Sequence, residues 1–143
     1  ACKQKNSAEE IDLVTQYVGT YDPIQYTATT IISTSAGDEL FSRDEARGTL
    51  TIEKGTAASD EFFINIKFPG YNEQLTAKLD GTKFTIISKQ KEVLVFGMNN
   101  LNGDYKGYGE FTSDNKVIYQ LTTQANQTGY SLKKVGSFTG PKK

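Results

Sequence analysis

The sequence contains no histidine and a single cysteine in 143 residues. Without an imidazole there is no histidine general base, no Ser-His or Cys-His nucleophile pair and no ordinary His/Cys zinc site. Nor is there a run near the ~18 consecutive apolar residues of a spanning helix; the longest apolar run is the short stretch from Val93 to Phe96. Charge of one sign is missing as well. Lys and Arg number 16 against 17 Asp and Glu, a formal net charge of -1, so no global basic field draws in nucleic acid. These absences close the commonest enzyme mechanisms. They lead to the expectation of a protein that is not an enzyme and that binds without cofactor or metal.

What the sequence does have is alternation. In "DEFFINIKFPGYNEQLTAKLDG" the residues Phe62, Ile64, Ile66 and Phe68 fall on one side of an extended chain, and Leu75, Ala77 and Leu79 do so after the Pro69-Gly70 turn. This period of two predicts paired, half-buried strands. Ahead of them, Ser7 and Glu10 have capping-box spacing, and Ile11, Val14 and Val18 recur at helical intervals up to Gly19, which predicts one short helix. Strands are then expected over 24–33, 48–54, 61–68, 74–79, 83–88, 92–96, 104–112, 116–123 and 128–135. The acidic stretch 34–47, with Asp38, Glu39, Asp44 and Glu45, is expected as one long irregular connection. Its carboxylates lack calcium-loop spacing and read as solvated charge.

A chain of this length suits one domain, divided here into a 1–8 tether, a 9–135 barrel and a 136–143 tail containing Gly, Pro and terminal lysines. Short strands joined by tight turns predict an all-β fold, barrel or sandwich. The meander favours an antiparallel up-and-down barrel of about eight strands. Gly107 and Gly109 between Tyr105 and Phe111 permit the sharp coiling that closure requires, or mark a bulge at a sandwich edge.

A barrel of this size is either filled by its own side chains or holds one small ligand. In the first case the protein meets a protein or glycan partner through Phe41, Phe63, Tyr71 or Tyr108. In the second, a small hydrophobic molecule lies against Phe62, Ile64, Phe84, Tyr105 and Tyr119. Small residues on inward faces, among them Ala28, Gly48, Ala77 and Thr123, leave room at one end.

The order of features resembles the lipocalin-like, or calycin, β-barrels: a short helix, then Gly19-Thr20-Tyr21 opening the first strand, then a meander of about eight strands. Tyr21 stands at the tryptophan of the family's Gly-x-Trp opening. The resemblance implies that Lys133 or Lys134 packs over that ring from the last strand, and that the helix covers one end of a cup whose other end admits a hydrophobic ligand. Ala1-Cys2 is similar to the tail of a bacterial lipoprotein signal, and the whole is similar to small secreted lipoproteins of Bacteroidetes-type bacteria. That likeness implies lipid attachment at Cys2, with a leader removed, and an extracytoplasmic monomer at the outer membrane or cell surface that meets the membrane through its anchor alone.

Overall fold

The computed structural model describes residues 13–143; the capping box at Ser7 and Glu10, the 1–8 tether and Cys2 lie outside the described residues. Residues 13–15 are helical and 16–17 form a turn. The chain then runs through β1 (Gly19–Thr34), β2 (Gly37–Lys54), β3 (Glu61–Phe68), β4 (Tyr71–Asp80), β5 (Lys83–Ile86), β6 (Lys91–Phe96), β7 (Asn99–Phe111), β8 (Lys116–Gln127) and β9 (Tyr130–Pro141). Antiparallel pairing follows chain order, except that β9 returns to β1 and β5 pairs with β7. The sheet therefore closes on itself. On β7, Tyr108 to Glu110 pair with β5, and Asn99 to Asp104 pair with β6. β5 and β6 thus share one position, broken at 87–90, and the architecture is the expected closed, antiparallel barrel of eight strand positions.

The alternation in sequence becomes the inside and outside of this barrel. Phe62, Ile64, Ile66 and Phe68 all point inward from β3, as do Leu75, Ala77 and Leu79 from β4. Aromatic rings fill the middle: Phe62 meets Phe84 edge-on at 5.4 Å, and Tyr119 stacks on Phe138 at 5.2 Å. Such ring pairs add to the stabilisation from area burial alone. One end is shut by the residues that precede β1. The Tyr17 ring stacks on Phe111 at 4.1 Å, and the Tyr21 hydroxyl donates to the Tyr17 carbonyl at 2.8 Å.

Three expectations are corrected. First, 34–47 is no loose connection, because β2 begins at Gly37 after a two-residue turn and pairs with β1 through to Thr34↔Gly37. On the β2 arm of this hairpin the stretch 37–45 is exposed on both faces apart from half-buried Ser42, so it shows no alternation. Second, 136–143 is not a tail. β9 continues to Pro141 with Phe138 and Gly140 buried, and a Cβ on Gly140 would lie 2.2 Å from the Pro23 carbonyl oxygen. Third, neither Lys133 nor Lys134 reaches Tyr21: the register sets them opposite Ile31 and Thr30, whereas Tyr21 bridges to Lys142. Lys142 instead donates from its Nζ to the Gln16 carbonyl at 3.0 Å.

Candidate ligand cavity

The break at 87–90, in the position shared by β5 and β6, leaves a slot. Residues 37–48 of β2 pair with β1 alone, since β3 joins β2 only from Thr49, and β6 pairs with β7 alone. Two free strand edges therefore face one another above the turn that joins β3 to β4. At the top of the slot the rings of Phe41 on β2 and Phe96 on β6 meet at 5.1 Å. A small apolar cluster of Leu94, Leu101, Ala125 and Leu132 backs them.

Behind the slot lies a cavity of about 270 Å³. Its floor is apolar: Phe68, Leu121, Phe138 and the rings of Tyr105 and Tyr119. Ala46, half-buried on β2, leaves one wall shallow. The opposite wall is charged. Lys89 Nζ lies 3.0 Å from Glu73 and 3.8 Å from Glu92, and Lys134 Nζ lies 3.2 Å from the same oxygen of Glu92. The four side chains form one alternating row, Glu73–Lys89–Glu92–Lys134, carried by β4, the 87–90 break, β6 and β9.

Each member of the row is held at its outer valence as well. Glu73 accepts from the Tyr71 hydroxyl, and the second oxygen of Glu92 accepts from the buried Thr123 hydroxyl. Lys89 sits 4.6 Å above the Tyr105 ring, a cation–π contact that fixes it over the floor. The hydroxyls of Tyr105 and Tyr119 bond to each other, and Lys134 lies against the Tyr26 phenol. Among the described residues no buried side-chain nitrogen or oxygen lacks a hydrogen-bond partner.

Protonation follows from this packing. Burial pushes the Tyr105 phenol up from its ordinary value, with the Glu73 and Glu92 carboxylates adding to the rise. Burial likewise pushes Tyr26 up. For Lys134 burial alone would favour the neutral amine, but the Glu92 carboxylate and the Tyr26 phenol outweigh it and hold the ammonium above its usual range. Carboxylates and ammonium groups thus alternate along the row, two of each, every one paired with a partner of the other sign.

Of the residues singled out by sequence, Tyr105 and Tyr119 line this cavity. Phe62, Ile64 and Phe84 do not. They lie in the packed core, at 0%, 0% and 2% exposure. Tyr71 borders the cavity mouth and Phe41 the slot, whereas Phe63 and Tyr108 make no ring contact with another aromatic among the described residues. The small inward glycines of β7 leave no room either, because Phe84, Ile86 and Tyr119 press on their backbone. The sequence reading missed Glu73, Glu92 and Lys134, although each falls on the inward phase of its strand, in step with Leu75, Leu94 and Leu132.

Neither a family model nor a curated protein matches the chain. Solved structures that are similar include the following two. One is a protein of unknown function of the DUF3598 family from Nostoc punctiforme, at 14% identity and a TM-score of 0.47, covering 89% of this chain and 48% of that one. This chain thus spans about half the length of that protein. The other is the S-type phycobiliprotein lyase CPES from Guillardia theta, at 8% identity and a TM-score of 0.39, covering 95% of this chain and 97% of that one. The expectation that the protein is not an enzyme is withdrawn: missing residue types do not exclude catalysis, and the second of these structures is named as a lyase.

Proposed function

We propose that the protein binds a small, predominantly apolar molecule, which enters by the slot between β2 and β6 and rests on the floor formed by Phe68, Leu121, Phe138, Tyr105 and Tyr119. The observation that carries this reading is the cavity itself. An apolar floor with a few convergent polar groups is what distinguishes a ligand site from a packing defect. The rival reading, a solid barrel that works only through exposed rings, loses two of its four candidates: Phe41 and Tyr71 edge the slot and cavity rather than form a separate patch.

The test is titration with an environment-sensitive hydrophobic dye. Saturable binding at one dye per chain is expected. Ala46→Trp, which adds an indole from the shallow wall without deleting a core side chain, is expected to abolish it. Absence of saturable binding in the wild type, or unchanged binding in Ala46→Trp, would overturn the reading.

A further inference from the structure

Resting on the ligand-binding reading above, we infer that the molecule held in this cavity carries no formal charge and has a compact body of roughly two fused rings. The size follows from volume. An apolar cavity of roughly 150 Å³ takes one benzene ring, and this one has about 270 Å³.

The charge follows from the row on the cavity wall. Two ammonium groups and two carboxylates lie there, and each is already committed within 3.0 to 3.8 Å to a partner of opposite sign. A carboxylate brought in by a ligand loses its water and meets no unpaired cation. To gain Lys89 or Lys134 it must displace Glu73 or Glu92, leaving like charges crowded in one small space. An incoming ammonium faces the mirror problem, because Glu92 is shared between two lysines and the Thr123 hydroxyl. An uncharged molecule leaves the row intact and covers only the apolar floor. Its hydroxyl, ether or carbonyl has the phenols of Tyr26, Tyr105 and Tyr119 within the same cavity to bond.

Calorimetric titration of the wild-type protein with three probes of one shape tests this: naphthalene methanol, naphthoate and naphthylmethylammonium. The neutral alcohol is expected to bind at least ~10-fold more tightly than either ion. Glu92→Gln keeps a hydrogen-bond acceptor for Thr123 but leaves the row with an excess positive charge. It is expected to raise naphthoate affinity by about 10-fold while changing that of the alcohol by less than about 3-fold. Either ion binding the wild type as tightly as the alcohol overturns the inference and leaves the ligand-binding reading standing. So does a folded Glu92→Gln protein with unchanged preference. Failure of all three probes, together with failure of the dye, removes both.

Discussion

At the scale of single residues, closure of the barrel depends on two glycines. β5 is only four residues long, Lys83–Ile86, and it seals the sheet by laying Phe84 and Ile86 over the backbone of β7. A Cβ on Gly109 would fall 2.2 Å from Phe84 Cζ and 2.4 Å from the Ile118 carbonyl oxygen; one on Gly107 would fall 2.6 Å from Ile86 Cγ1. Swinging the ring aside relieves the first clash but not the second, which involves backbone of the neighbouring strand. Gly109→Ala is therefore expected to destabilise the protein by about 1–3 kcal/mol, the usual cost of overpacking a tight core. It should lower the urea midpoint without changing the slope. An unchanged midpoint would show that the β5–β7 seam is loose enough to absorb a methyl group, contrary to these distances.

At the scale of elements, what the sequence made legible was burial, and what it hid was pairing. β3 and β4 could be read to within a few residues because one face is buried and the other is not. The upper part of β2 could not: Asp38, Glu39, Leu40, Phe41, Arg43, Asp44 and Glu45 are all exposed, and only their ladder to β1 makes them a strand. A gap was expected between the strands 83–88 and 92–96, but the change of partner within it was hidden for a related reason. Ile87 N–H donates to the Thr76 carbonyl on β4, whereas the Gln90 carbonyl accepts from Tyr105 N–H on β7, so the chain changes partner within four residues whose side chains do not alternate. These two elements frame the slot, and among the described residues one ring contact crosses it, Phe41 to Phe96. Phe41→Ala should cost about 1 kcal/mol or less in global stability, since Phe41 is 43% exposed. Its effect should be local: faster hydrogen exchange at the amides of β6, an edge whose protection reflects sub-global opening. Uniform acceleration across the barrel, or none in β6, would show that this contact does not hold the slot.

At the scale of the whole molecule, packed core and cavity segregate along the barrel. At the end near Tyr17 and Phe111 stacked rings close the core beneath a more polar cleft of about 330 Å³; at the end near Tyr71 and Phe41 the apolar interior itself opens. The candidate site was only half legible in sequence. Tyr105 and Tyr119 stood out as large inward residues, but a charge on the inward phase carries meaning only once its partner is known, and Glu73, Glu92 and Lys134 come from three strands far apart in the chain. Lys89 lies in the break and has no phase to read.

The same segregation sets the response to alkali. Burial, with the neighbouring Tyr17, pushes Tyr21 up from an ordinary 10.0 to about 12, and it pushes Tyr26 and Tyr105 up as well. Lys134 is held above its usual range by Glu92 despite its own burial. All four groups keep their proton longer in the folded chain than in the unfolded one. Stability rises with pH only where the unfolded state binds more protons, and here the folded state does. Their contribution is therefore complete below about pH 10, the range where an unfolded tyrosine begins to ionise, and declines above it. Urea midpoints measured against pH should hold level on the approach to that point and fall beyond it. Phenolate absorbance should show Tyr21, Tyr26 and Tyr105 silent until the chain unfolds. Reversible ionisation of all eight tyrosines with the fold intact would contradict the burial on which this expectation rests.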